Sequence, residues 1–387
     1  MSTSTPIQAL DETTVPQKRS LPVFDPLLLL AALGLAACSV VTLRAAAGRS
    51  LAERQGFYAL VGVIVALAIG RIDYSRLREF KLGFYAVMVA LNLIVYGMPP
   101  IQAAHRWIPL PFLEFQSSEF GKILVILALA GFVVDRSRKL HERRTTARIM
   151  LLALVAALLV IPQPDLGTGM VYVAIGITVL FFAGTSFRQL AGLAALFAVA
   201  VAIVLAGAPA LGVHVVKGYQ VQRLTAFLHP GHAGQSGYQL QQSQIAIGAG
   251  QKTGQGANAS QTKLNFLPVK STDFVFASVG ETFGFAGAAV VLSLYALLIW
   301  RALRILTMSK NLFGTLIAGG ILAMLMFQTF VNVGMTIGIA PITGVPLPLM
   351  SYGGSSVIVT FISIGLLESI YIQGVTAQSG KGRPLLS

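Results

Sequence analysis

Apolar residues in this chain fall in long blocks separated by short polar turns. A run of roughly eighteen or more residues with few or no charges is the pattern of a membrane-spanning helix. Ten such helices are expected, at 26–46, 56–71, 80–98, 118–135, 147–163, 168–185, 188–215, 273–300, 311–340 and 354–375. The pattern predicts an all-α, polytopic membrane protein with a single transmembrane domain over 26–375. One long loop, 217–272, interrupts the rhythm; it is rich in Gly, Gln and Ser. Its middle, 238–247, predicts a short helix on the membrane surface. The ninth block is long, and Gly319, Gly320, Gly334 and Gly338 point to a kink or a packed crossing inside it. The polar segment 1–25 is expected to be a disordered tail, and 376–387 a second tail.

Composition agrees: 55% of the 387 residues are hydrophobic and 11% are charged, against about 25% charged in a soluble domain. The net charge of +14 does not signal nucleic-acid binding, because the basic residues concentrate in short loops between apolar blocks. With the N-terminus inside, eighteen of the 28 Lys and Arg fall on the inner face, the densest group at 136–148. Five of the remaining ten lie in the long loop, and long loops translocate largely regardless of charge. Both termini are therefore expected in the cytoplasm and the long loop outside. The single cysteine, Cys38, excludes an intramolecular disulfide and a cysteine metal cluster. It is read as an interior position of the first helix rather than a lipidation site. His229 and His232 sit in a Pro-Gly turn and are not read as metal ligands.

Acidic residues are informative because there are only 14. Glu119, Asp165, Asp273, Glu281 and Glu368 lie in or beside apolar blocks, where a carboxylate is costly unless it faces a cavity or a partner. Asp273 is either an N-cap or a general base at a helix start. Glu119 and Lys122 share a helix face and are expected to pair, for structure or to hold the ammonium beside a phosphate. In the turn Gln163–Thr168, Asp165 or Thr168 is placed to cap the next helix. The uncharged stretch 343–356, which includes Ser351 and Tyr352, reads as irregular backbone at membrane depth, tolerated only when buried or lining a cavity.

Together these segments resemble the SEDS family (shape, elongation, division and sporulation proteins), more closely its RodA branch than FtsW. The resemblance rests on Arg106-Trp107-Ile108 with Gln116, Ser118, Glu119 and Lys122; the Gln163–Thr168 turn; Tyr219 and Arg223 leading to Phe227-Leu228; Gly237-Tyr238-Gln239; Leu267-Pro268 through Asp273; and Gly344 through Ser356. The family commonly has Glu where this chain has Val269, His where it has Ser271, and Lys where it has Gln255. The resemblance implies a peptidoglycan glycosyltransferase of the bacterial inner membrane. It would polymerise lipid II, a lipid-linked disaccharide-pentapeptide, during cell elongation and shape maintenance. Asp273 would be the catalytic base. Lys122, Glu119, Arg223, Arg106, Asp165, Gln163, Thr168, Ser351 and Tyr352 would form the substrate site, with a divalent cation, Mg2+ or Mn2+, as the one cofactor allowed for. A class B penicillin-binding protein (a transpeptidase) would be the partner, with other elongation-complex membrane proteins. The competing readings are a lipid-precursor flippase, for which Glu281 and Glu368 would extend a proton path inward, and a non-catalytic scaffold for the transpeptidase.

Overall fold

The computed structural model describes residues 24–99, 106–109, 114–140, 142–163, 165–202, 222–223, 226–227, 234–263, 266 and 269–381. Residues 1–23 of the expected tail 1–25, with Tyr219, Leu228, Leu267, Pro268, His229 and His232, lie outside these residues. Among the described residues the helices are α1 (Pro26–Ala46), α2 (Arg49–Gly70), α3 (Lys81–Ile94), α4 (Ser117–Asp135), α5 (Arg143–Val160), α6 (Leu166–Phe182), α7 (Phe187–Ala202), α8 (Gly234–Gly250), α9 (Ser260–Lys263), α10 (Val275–Met308), α11 (Leu312–Ile337) and α12 (Gly354–Lys381). All but α8 and α9 fall on the ten expected blocks. Among the described residues seven spans are long and apolar enough to cross a membrane, and α6 is a shorter apolar helix. The main differences are at the ends: α2 begins seven residues early, and α12 runs on through Lys381 into the expected tail.

Local chemistry sets several of these ends. Asp25 caps α1 by accepting from the Leu27 and Leu28 amides, with Pro26 in the first turn. Asn311 caps α11 through the Gly314 amide, and left-handed Gly338 ends it. Of the two expectations for this block, a kink or a packed crossing, the second holds: α11 is continuous, and Gly319 and Gly320 let Phe182 and Ile126 approach its backbone.

The kink lies in α10, at Gly284, whose φ of 64° interrupts the helix. A break frees backbone groups, and the long loop takes them up. The amides of Phe285 and Ala286 donate to the carbonyls of Gln251 and Lys252 at 2.8 and 3.0 Å, and the Glu281 carbonyl accepts from the Gln255 amide at 2.8 Å. A Cβ on Gly284 would lie 2.3 Å from the Gly254 nitrogen, so only glycine fits there.

The long loop is thus more ordered than its composition implied. Its helix α8 extends beyond the expected 238–247 and does not simply rest on a membrane surface. Leu240 and Ala246 of α8 join Ala226, Phe274, Ala277, Met335 and Ile342 in a small core of their own. Ser243 and Gln244 donate to the Thr336 and Ile337 carbonyls, which the end of α11 leaves without helical partners.

The starts of α4, α6, α10 and α12 and the end of α11 gather at one end of the bundle, under this loop. The start of α1 meets the far half of α10 at the opposite end, where Arg301 pairs with Asp25.

Candidate functional site

The site is built around a stretch of irregular backbone, 339–353, between α11 and α12. Its expected burial holds: Val345, Leu347, Leu349, Met350 and Ser351 are all buried. Such backbone at membrane depth needs its polar groups paired, and most of the partners are side chains from distant helices. Ser39 of α1 donates to the Met350 carbonyl at 2.8 Å, and Gln55 of α2 donates to the Ser351 carbonyl at 3.1 Å. Tyr295 of α10 donates to the Pro348 carbonyl. Ser351 accepts from the Leu347 amide at 2.8 Å and donates to the Thr272 carbonyl at 2.6 Å. The Tyr352 amide donates to the Ser271 carbonyl at 2.8 Å, while its ring lies 6.5 Å from that of Tyr58. The turn at 343–353 and the segment 271–273 are therefore one hydrogen-bonded unit.

Asp273 sits on that unit. It is not the N-cap of α10: that position is Phe274, and no side chain caps the helix. Its carboxylate instead faces the turn. A Cβ on Gly344, whose φ is 73°, would lie 3.2 Å from Arg223 Nη1 and 3.5 Å from Asp273 Oδ2. Glycine at 344 thus leaves the gap in which carboxylate and guanidinium face each other. The Arg223 carbonyl accepts from the Ile342 amide at 3.2 Å, fixing this piece of the long loop beside the turn. Burial pushes the Asp273 carboxyl above the usual aspartate range; Arg223 and Arg106 pull it back, and Asp165 adds to the rise.

Arg106 reaches the site from a hairpin. Strands β1 (Trp107–Pro109) and β2 (Glu114–Gln116) pair antiparallel, Trp107 opposite Gln116. Ser355 of α12 clasps β2, donating to the Glu114 carbonyl at 2.7 Å and accepting from the Gln116 amide at 3.0 Å. Arg106 Nε donates to the Gln163 carbonyl at 2.8 Å. Gln163 in turn donates to the Asn92 and Leu159 carbonyls. Asp165 does cap α6, through the Thr168 amide at 3.2 Å. Its other oxygen accepts from Ser118 at 2.9 Å and from Gln116 at 3.4 Å. The aspartate therefore both starts α6 and joins it to the start of α4. Thr168 itself is buried one turn inside.

Glu119 and Lys122 pair as expected, at 2.7 Å, each with about 1% of its side chain exposed. The ammonium is closed off by Glu119 and by the surrounding helices. Glu281 is also committed: its two oxygens accept from the Gln261 and Thr262 amides at 2.8 and 2.9 Å. It ties α9 to α10 beneath the long loop. Glu368 accepts from the Asp25 amide at 2.8 Å, at the opposite end. The two carboxylates that an inward proton path would use are thus anchored separately at opposite ends.

Sequence reasoning missed the buried polar residues that hold the site: Ser39, Gln55, Asn92 and Asn332, all at most 1% exposed. The available signal was an uncharged polar residue inside an apolar helix, which is costly unless it is paired.

The family model for the FtsW, RodA and SpoVE cell cycle proteins matches residues 21–374. The chain is 36% identical over 352 residues to the peptidoglycan glycosyltransferase MrdB of Escherichia coli K12, covering 90% of this chain and 93% of that one. It is 33% identical over 324 residues to the stage V sporulation protein E of Bacillus subtilis, covering 82% and 86%. Among solved structures, it is similar to a chain of a peptidoglycan synthase complex that coordinates polymerization and crosslinking, with a TM-score of 0.76, 29% identity, and coverage of 91% and 98%. The rod shape determining protein RodA of Thermus thermophilus matches with a TM-score of 0.65, 27% identity, and coverage of 90% and 97%. With the sequence match running from before α1 almost to the end of α12 and the fold shared, the chain belongs to the FtsW/RodA/SpoVE family of polytopic membrane proteins.

Proposed function

We propose that this protein is a peptidoglycan glycosyltransferase that polymerises lipid II in shape maintenance, with Asp273 as its base. The family and the glycosyltransferase relatives support the activity. The observation that carries the residue assignment is the Asp273 carboxylate, raised by burial and facing Arg223 across the gap at Gly344. In the reaction, the 4-hydroxyl of one sugar attacks the anomeric carbon of another. Asp273 takes the hydroxyl proton, the new glycosidic bond forms with inversion, and the polyprenyl diphosphate leaves with the bonding pair. A base near its working pH does this better than an ordinary aspartate. Arg223 and Arg106 are the cations placed to offset charge on the leaving diphosphate. Lys122 would join them only by exchanging Glu119 for substrate.

The described residues do not by themselves fit a resident Mg2+ or Mn2+. Among the described residues no three His, Cys, Asp or Glu side chains gather to hold an ion. Both Asp165 oxygens are already engaged by protein donors. No catalytic step here is assigned to a metal.

The site end of the bundle faces outward in this reading, with both termini cytoplasmic, in the bacterial inner membrane. The partner is a single-helix class B penicillin-binding protein, supported by likeness to a chain from a complex that coordinates polymerization and crosslinking. The deciding experiment is lipid II polymerisation by the purified protein, with and without that partner. Glycan strands from the wild type and none from Asp273→Asn are expected. Equal turnover by both would remove Asp273 as the base, and no strands from either, partner included, would favour a scaffold.

A further inference from the structure

Asn332 lies in α11 and is wholly buried. Its side-chain Nδ2 donates to two backbone carbonyls, those of Asp273 and Val345, each at 2.8 Å. One belongs to the residue read as the base. The other belongs to the neighbour of Gly344, over which Arg223 and the Asp273 carboxylate face each other. A single amide therefore joins the two backbones that set this gap. Among the described residues its Oδ1 has no hydrogen-bond partner, so the two donated bonds are what its polar end makes. A buried amide is costly, and a Leu or Met would suit an apolar helix better. A hydroxyl has one proton to donate, and a carboxylate none. Only a side chain with two N–H groups on one nitrogen bridges both carbonyls.

We propose that Asn332 is a positioning residue for the polymerisation step: it fixes the spacing of Asp273 and Arg223 by clamping the Asp273 backbone to Val345. This rests on the reading of Asp273 as the base. Displacing a catalytic group by about 1 Å costs about 100-fold in rate, so the clamp acts on turnover rather than on substrate affinity. Gly344 offers a second handle on the same spacing. A methyl there meets Arg223 Nη1 at 3.2 Å and the alanine must also hold a φ of 73°, so this change disturbs the spacing from the turn side while the Asn332 side chain stays in place.

The test measures initial polymerisation rates against lipid II concentration, across pH, for Asn332→Ala, Asn332→Leu, Gly344→Ala and the Asn332→Ala/Gly344→Ala pair, with Asp273→Asn alongside. Each single variant at 332 and 344 is expected to lower kcat about 100-fold with KM within about threefold, and to displace the acid limb of the rate profile. Because both sites act on one spacing, the double variant should be far less impaired than the product of the singles. Asn332→Leu keeps the branched shape without burying a charge and serves where Asn332→Ala fails to accumulate. The proposal is overturned by a wild-type kcat and an unmoved acid limb in folded Asn332 variants, or by a rise in KM alone. An active Asp273→Asn would instead sink the base assignment, so the two failures are told apart.

Discussion

At the residue scale, Glu119, Asp165, Glu281 and Glu368 place carboxyl groups where apolar surroundings resist charge, each with a partner that explains its survival. Asp273 caps nothing and is raised by burial, and in the proposed function it is the group that carries the chemistry. Its protonated form is favoured to a higher pH than that of an ordinary aspartate, near 3.9. Activity that needs the carboxylate is therefore lost as pH falls, with the acid limb above that range; a limb at or below it would contradict the burial. A raised carboxyl also costs stability progressively as pH rises from the unfolded value through its own pKa, and the cost is complete above it. Asp273→Asn should consequently melt no lower than the wild type at neutral pH while losing polymerisation. Glu119 and Lys122 behave otherwise. Removing the lysine strands a buried carboxylate, at a cost of about 3–5 kcal/mol, so Lys122→Ala should melt far lower. Glu119→Gln with Lys122→Met removes both charges and should recover most of the stability. With the ammonium closed off, the double variant is expected to keep its KM for lipid II per folded molecule. A raised KM there would instead place Lys122 on the diphosphate.

At the element scale, the long loop is built into the bundle through the broken helix α10. The break at Gly284 exposes amides that residues 251 and 252 accept, and Glu281 holds α9 by two more amides. Gly284→Ala cannot be accommodated, because the methyl would enter the Gly254 backbone and the alanine would need a positive φ. Glu281→Ala leaves two amides without an acceptor, at about 1–3 kcal/mol. Both variants should speed proteolysis within 251–263 and lower polymerisation, with α11 and α12 still protected. Unchanged cleavage in both would mean that the loop is held by its small apolar core alone. The loop's Gln and Gly content resembles that of a linker, since short-range pattern does not report backbone bonds made to a helix about thirty residues away.

At the scale of the whole molecule, the two ends of the bundle carry different chemistry. One gathers Asp273, Arg223, Arg106 and Asp165 under the loop. The other holds Asp25 with Arg301, and Asp135 with Arg78 and Lys81. The basic loops of the second end orient it to the cytoplasm in the proposed topology. Single cysteines at Gln241 and Lys252, both exposed, in a Cys38→Ala background, should react with a membrane-impermeant thiol reagent from the periplasmic side. A cysteine at Arg138, exposed in the basic connection after α4, should react only once the cytoplasmic face is opened. The reverse pattern would put Asp273 on the wrong side for an externalised precursor and return the transporter reading to the front.

The sequence by itself determined the helices, because long apolar blocks leave the backbone in a bilayer no other way to pair its polar groups. It also marked Asp273, Asp165 and the Glu119–Lys122 pair, because charge in such blocks is rare enough to stand out. The order of motifs was enough to place the chain in its family. Tertiary structure alone decided that Asp165 both caps α6 and holds Ser118, that Asp273 faces Arg223 rather than capping α10, and that Asn332 clamps the turn at 343–353. It also chose a packed crossing over a kink in α11 and put a break at Gly284 in α10. These outcomes depend on hydrogen bonds between residues tens to hundreds of positions apart, and on which backbone groups a break leaves free. Local pattern encodes burial and periodicity; it does not say which distant carbonyl a buried amide will meet.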